Sequence, residues 1–178
     1  KIAGTIMTIP ADHPKIKPAK IGVILANLGT PDATDYWSMR KYLSQFLSDK
    51  RVVDYSAWLW QPLLQGIILT RRPFSSGKAY RSIWNNELNE SPLLTTTRLQ
   101  ANAVKKEVEK IYGNDVIVDF AMRYGNPSTE SVIKNLKDQG VEKIVFFPLY
   151  PQYAGPTTAT ANDEAFRTLM KMNWQPSI

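Results

Sequence analysis

The residues able to do chemistry gather where two apolar runs break. One is Phe146-Phe147-Pro148-Leu149-Tyr150-Pro151-Gln152-Tyr153, continuing to Thr157-Thr158, in which a buried β run passes into an aromatic, proline-stiffened loop. The other is Val116-Ile117-Val118-Asp119-Phe120-Ala121-Met122, which breaks into Arg123-Tyr124-Gly125-Asn126-Pro127. Open α/β sheets place their ligands beyond the carboxyl ends of the strands. Two such ends side by side make a flat aromatic pocket with a cation in it.

The elements that must position these ends alternate between strand and helix. Ile21-Gly22-Val23-Ile24-Leu25-Ala26 is a continuous apolar run of strand length, and Asn27-Leu28-Gly29-Thr30-Pro31-Asp32 ends it in a turn. From Tyr36 to Leu47 the period becomes helical, with Met39, Tyr42, Leu43 and Phe46 on one face. Ser91-Pro92 supplies an N-cap and a first-turn proline to a helix carrying Leu99, Ala103, Val104, Val108 and Ile111, which Gly113 stops. Ser128 caps a short helix with Val132, Ile133 and Leu136 facing inward, closed by Gly140 before the strand at Ile144. The order is β-α-(irregular)-α-β-α-β-α. Buried strands joined by short loops predict an α/β fold with a doubly wound parallel sheet, the strands at Ile21, Val116 and Ile144 being neighbours.

Composition sets the outer limits. The 178 residues, 43% of them hydrophobic, suffice for one substantial core. A net charge of +6 favours acidic partners, yet no run of Lys and Arg is long enough for a nucleic-acid arm. Cysteine is absent, which excludes disulfides, Cys-ligated zinc and an iron–sulfur cluster held by this chain. The one histidine, His13, cannot build a metal site alone and reads as a solvated surface residue. Lys1–Lys20 has no signal-peptide or membrane-span pattern, so the expectation is a soluble, cytoplasmic protein with an N-terminal extension at 1–20 and one domain at 21–178.

Val52 to Asn89 breaks the rhythm. Trp58, Leu59, Trp60, Pro62, Leu63, Leu64, Ile67, Ile68 and Leu69 are too apolar for a solvent loop and too few for a transmembrane helix, and they lead into Arg71-Arg72. One reading is a core helix with a basic end that suits the helix dipole. The other is an amphipathic lip beside a cleft, its tryptophans touching an apolar ligand or a membrane surface and its arginines taking carboxylates or lipid phosphates. Residues alone leave both open.

Six blocks in order resemble bacterial ferrochelatase: Asn27-Leu28-Gly29-Thr30-Pro31; Phe46-Leu47-Ser48-Asp49-x-Arg51-Val52-Val53; Tyr80-Arg81-Ser82-Ile83-Trp84; Ser91-Pro92-Leu93; Met122-Arg123-Tyr124-Gly125-Asn126-Pro127; and Pro148-Leu149-Tyr150-Pro151-Gln152-Tyr153. An ordered set is far more specific than any one of its blocks. The resemblance implies a lyase that inserts ferrous iron into protoporphyrin or a related porphyrin, the last step of heme biosynthesis. It also implies two similar Rossmann-like (chelatase-like) domains facing across a porphyrin cleft, of which this chain looks like the N-terminal one. Removing two pyrrole protons calls for a basic side chain near the ring centre. In the family that work falls to a histidine and acidic residues beyond Ile178, so no catalytic residue and no metal ligand is assigned here, and the fragment alone is expected to be inactive.

What the resemblance carries onto this chain is ring binding. Arg72, Tyr80 and Ser91 match positions that hold porphyrin propionates, a role suited to a guanidinium fork and two hydroxyls. Leu28 matches a position on the metal-entry face; as a leucine it can press on the ring but cannot ligate iron. Arg123 and Tyr124 match an active-site pair, and Tyr150 an aromatic at the pocket wall. The plainer roles are a helix-end cation for Arg72, an N-cap for Ser91 and core packing for the tyrosines. Where many relatives read Ser-x-Ser-Thr-Thr, this chain has Ala154-Gly155-Pro156-Thr157-Thr158, and Gly155 replaces the cysteine that helps hold a [2Fe–2S] cluster in some of them. No permanently bound cofactor or cluster is therefore expected. The partners implied are porphyrin, ferrous iron and, through Trp58, Trp60, Leu63 and Leu64, a peripheral contact with the inner face of the membrane. Two alternatives stay open: a cobalt- or sirohydrochlorin-type chelatase, and a non-catalytic porphyrin- or heme-binding module.

Overall fold

A computed structural model describes residues 19–178. The apolar runs form three parallel strands: β1 (Lys20–Thr30), β2 (Val116–Gly125) and β3 (Val141–Pro148), in the order β2-β1-β3. Central β1 is apolar on both faces because it is covered on both, with Ile24, Leu25 and Ala26 all buried. Ile24 stands between Asp119 and Phe146, and Leu25 between Phe120 and Phe147. The three runs are the parallel neighbours that the sequence predicts. Order 2-1-3 puts the topological switch point between β1 and β3, at their carboxyl ends.

Two strands run further than expected. The sequence places a turn at Asn27–Asp32 and a break after Met122, but β1 continues to Thr30 and β2 to Gly125, with Gly29 opposite Tyr124 and Thr30 opposite Gly125. Glycine makes the extension possible. Gly29 has φ +112°, and a Cβ there would lie 1.8 Å from the Tyr124 carbonyl oxygen. A residue that reads as a turn signal is instead a point of close backbone approach within the sheet.

The helices follow their capping chemistry. Asp35 accepts from the amides of Trp37 and Ser38 to start α1 (Tyr36–Leu47), which buries Met39, Tyr42, Leu43 and Leu47. The segment expected to be irregular is helical for most of its length: α2 (Ala57–Leu63), a π-turn at Leu64–Ile68, and α3 (Leu69–Ile83). Pro62 and Pro73 lie inside it. A proline removes one helical donor, and the carbonyl that Pro73 leaves free, that of Leu69, is taken by the Tyr36 hydroxyl (3.1 Å) and the Arg40 guanidinium (2.8 Å). Side chains on α1 thus compensate for the break.

Ser91 caps α4 (Pro92–Tyr112) by accepting from the Leu94 amide, and Ser128 caps α5 (Thr129–Asp138) by accepting from the Ser131 amide. The buried stripe of α4 differs from the expected one. Thr97 and Ala101 are buried and Val104 and Val108 half-buried, whereas Leu99, Ala103 and Ile111 face solvent. Asn27 donates to Thr97 Oγ at 3.0 Å, which makes a polar residue the inward one. A second π-turn (Gly155–Ala159) leads into α6 (Thr160–Met170). Two apolar clusters result. Ile24, Ile133, Leu136, Val141 and Leu169 join the sheet to α5 and α6, while Met39, Leu43, Leu64, Leu69 and Tyr124 join α1 and α3 to the end of β2. Each fully buried aliphatic contributes about 1.5–3 kcal/mol relative to exposure. His13 and most of the N-terminal extension lie outside the described residues. Among those residues no helix is long and apolar enough to cross a membrane.

Candidate functional site

The second cluster ends in a polar hub at the carboxyl edge of the sheet. Asp49, just after α1, is met by Arg123 and Tyr124 from the end of β2 and by Thr160 from the start of α6. Its Oδ2 accepts from the Arg123 guanidinium at 2.6 Å, from the Tyr124 hydroxyl at 2.8 Å and from the Thr160 hydroxyl. Its Oδ1 accepts from the Arg51 amide at 2.8 Å. Arg123 Nε donates to the backbone oxygen of Thr160 (2.9 Å) and to its hydroxyl (2.7 Å), and another nitrogen pairs with Glu164 at 3.4 Å. The Arg123 and Asp49 side chains are only 11% and 10% exposed. Burial pushes the Asp49 carboxyl up, but the bonds from Thr160, the Arg51 amide and Tyr124, with the Arg123 charge, outweigh it and hold the group below the usual carboxylate range.

Aromatic rings form the wall above the hub. Phe46 meets Tyr124 edge-on at 5.2 Å, and Tyr42 lies parallel to Phe46 at 6.3 Å and edge-on to Tyr80 at 6.2 Å. The Arg123 guanidinium carbon sits 4.4 Å from the Tyr124 ring centroid. Burial raises the Tyr42 and Tyr124 phenols well above the ordinary range, so both stay protonated. Tyr150 is pushed up to about 12 by burial, with the Arg123 charge pulling the other way. Its buried hydroxyl has no hydrogen-bond partner among the described residues. That leaves a phenol without a partner at the β1/β3 switch point.

The expected site residues therefore divide. Leu28 and Tyr80 pack half-buried against the same cluster as Tyr124, while Arg123 lies against the Tyr124 ring and Tyr150 within reach of the Arg123 charge. Tyr124 is itself 1% exposed and Arg123 is bound up in the hub, so both face inward. Ser91 is buried as the α4 cap; its oxygen accepts from Leu94 and its proton remains free to donate. Arg72 is exposed on α3, eight residues before Tyr80 and so about 12 Å further along the helix. Its guanidinium meets no carboxylate among the described residues.

Sequence reasoning missed Asp49, Thr160 and Glu164 as site residues. Asp49 and Thr160 are 111 positions apart, and nothing local signals their pairing. Beside the hub is a polar hollow of about 450 Å³ lined by Gln45, Ser48, Asp49, Arg51, Arg123 and Asp163, with Arg51 paired to Asp163. A separate apolar hollow of about 370 Å³ is lined by Tyr55, Ser56, Leu59, Trp60 and Leu63. Four residues were expected to make the membrane contact there. Leu64 is 0% exposed, however, and Trp60 is half-buried with its indole donating to the Leu47 carbonyl at 2.7 Å, because the helical turn points both at α1. Trp58, Leu59, Leu63 and Ile67 are the exposed ones. Among the described residues no group of three or more His, Cys, Asp or Glu is arranged to hold a metal ion. The site offers packed aromatic rings whose phenols and guanidinium are fixed by hydrogen bonds.

Comparison with known proteins gives the same direction. The ferrochelatase family model matches residues 20–178. Ferrochelatase of Rhodobacter capsulatus is 62% identical over 169 residues, covering 94% of this chain and 48% of that protein. Ferrochelatase of Agrobacterium fabrum is 55% identical over 177 residues, covering 99% of this chain and 51% of that protein, and one from Rhizobium etli is 57% identical over 169 residues, 95% and 48% respectively. The chain spans about half the length of these curated relatives. With a match running through all three strands and every residue of the hub, the chain belongs to the ferrochelatase family.

Proposed function

We propose that this chain supplies one wall of the porphyrin cleft of an enzyme that inserts ferrous iron into protoporphyrin or a related porphyrin to give heme. The observation that carries the reading is the family match across residues 20–178. Support from the fold is the aromatic wall at the carboxyl ends of β1, β2 and β3, where a planar apolar ring finds its partners. Arg72, Tyr80 and Ser91 bind the propionates, Leu28 and Tyr150 press on the ring, and Arg123 and Tyr124 back the wall. The base that takes the pyrrole protons is assigned to the part of the relatives' length that this chain does not span. On the outer side, Trp58, Leu59, Leu63 and Ile67 rest against the inner face of a membrane, a contact supported by their exposure beside Arg71 and Arg72.

The test is iron insertion by the full-length protein, followed by loss of porphyrin fluorescence with ferrous iron under anaerobic conditions. Metallated product at a rate well above the uncatalysed one is expected. Tight porphyrin binding without turnover would favour the non-catalytic binding module, and metallation of a more polar tetrapyrrole alone would favour the cobalt- or sirohydrochlorin-type chelatase.

A further inference from the structure

Asp49 does more than satisfy one arginine. Its Oδ2 takes donors from β2 (Arg123, Tyr124) and from α6 (Thr160), and Thr160 follows the loop that begins at Tyr150. Its own carbonyl accepts from the amides of Val52 (3.0 Å) and Val53 (2.9 Å), so the carboxylate sits on a tight turn and not on a mobile loop. The bonds also use up the polar atoms they reach. Tyr124 spends its only proton on Asp49, and Arg123 divides its donors among Asp49, Thr160 and Glu164. Ion pairs this buried are weak devices for stability, since an apolar cluster of equal volume often does as well. What they fix is orientation.

We propose that Asp49 is the positioning residue of the porphyrin wall: one carboxylate oxygen locks the end of β2 and the start of α6, which closes the loop that begins at Tyr150, to a common point and so sets the orientation of Tyr124 and the anchoring of the Tyr150 loop. This rests on the porphyrin reading above. Asp49 does not touch the ring; it acts through the groups it holds. Loss of the charge lets Arg123 swing toward Glu164 and releases the Tyr124 hydroxyl. A ring seated against the wall then meets a looser surface.

The experiment uses the full-length protein, with protoporphyrin IX as probe, and reads the dissociation constant, the absorption maximum of bound porphyrin and the melting temperature for wild type, Asp49→Asn, Thr160→Val and Thr160→Ser. Asp49→Asn should weaken binding about ten-fold and move the bound absorption band, with Thr160→Val shifting both in the same direction and Thr160→Ser, which keeps the hydroxyl, restoring both. A purely structural role would lower the melting temperature and leave the bound spectrum of the folded fraction unmoved. Wild-type affinity and spectrum in folded Asp49→Asn would overturn the proposal. Should that variant fail to fold, unchanged values in Thr160→Val overturn it equally. Absence of porphyrin binding by the wild type would remove the proposed function and this inference with it, whereas wild-type binding with unmoved variants removes the inference alone.

Discussion

The Arg40 guanidinium on α1 donates to the Leu69 carbonyl at 2.8 Å, and Leu69 is the residue whose helical partner Pro73 cannot supply. Tyr36 gives the same oxygen a second donor at 3.1 Å. Leu69 is fully buried, so an unpaired carbonyl there would cost about 1–3 kcal/mol. Either Tyr36→Phe or Arg40→Met alone should cost less than that, because the other donor remains. The double variant should cost more than the sum, and adding Pro73→Ala should recover part of the loss by restoring a helical amide. Strict additivity in urea unfolding would show that the carbonyl is satisfied some other way.

Glycine at two positions should respond in opposite directions. Gly29→Ala places a Cβ 1.8 Å from the Tyr124 carbonyl at φ +112°, and should destabilise by more than about 4 kcal/mol or prevent folding. Gly66→Ala meets nothing within 4 Å in the exposed π-turn, and should stabilise by about 0.4–1 kcal/mol through the unfolded chain. Thermal melts of both decide it. A well-folded Gly29→Ala protein would mean that β1 and β2 part before Tyr124.

The limits of reading sequence show in these same residues. Tyr36–Leu47, Ser91 and Ser128 were legible because caps and helical period are local, and the strands because their apolar runs are continuous. Gly29 was not, since a glycine needed for close approach looks like a glycine that turns the chain. Pro62 and Pro73 obscure helices α2 and α3 in the sequence, and the carbonyl that Pro73 frees at Leu69 is met by side chains about 30 residues away in α1. On α4 the inward residue is Thr97, which has a specific partner in Asn27, so a hydrophobic count picked Leu99 instead. Of the hub, the resemblance assigns Arg123 and Tyr124 to the site but not Asp49 or Thr160, which come from other elements and meet them only in the fold.

Acid should loosen that hub. Asp49 and Asp163 are both held below their ordinary value of 3.8, Asp163 chiefly by Arg51, so their folded pKa values are depressed relative to the unfolded chain. Such groups add stability above the unfolded value and lose it as pH falls through the folded one. Stability should therefore be insensitive to these groups near neutral pH and decline below about pH 4, with a shallower decline in Asp49→Asn. Urea midpoints between pH 7 and pH 2.5 measure this, and an equal slope in wild type and variant would exclude Asp49 from the acid response.

This chain, expressed by itself, should not metallate porphyrin above the uncatalysed rate. The hub carboxylate is occupied by four donors and the nearby phenols are held protonated, so neither is free to act as the base that takes a pyrrole proton. Turnover with ferrous or zinc ions by the isolated chain would show that proton removal lies within residues 1–178.

Arg72 and Trp60 separate the lip from the core. Arg72 is exposed and unpaired with any carboxylate among the described residues, so Arg72→Ala should leave the melting temperature unchanged. If it takes a propionate, the full-length variant should bind porphyrin more weakly by about 1.5–3 kcal/mol, the range for a hydrogen bond to a charged group. Added salt should narrow the gap between wild type and variant, because screening weakens only the charged contribution. Trp60 behaves differently: half-buried, with its indole on the Leu47 carbonyl, it should lower the melting temperature when replaced by alanine. Trp58, 75% exposed on the same helix, provides the control, since Trp58→Ala should leave stability intact and reduce only the affinity for lipid vesicles or porphyrin. An unchanged porphyrin constant for Arg72→Ala, at low salt, would leave that arginine as a helix-surface cation and shift the propionate contacts to Tyr80 and Ser91.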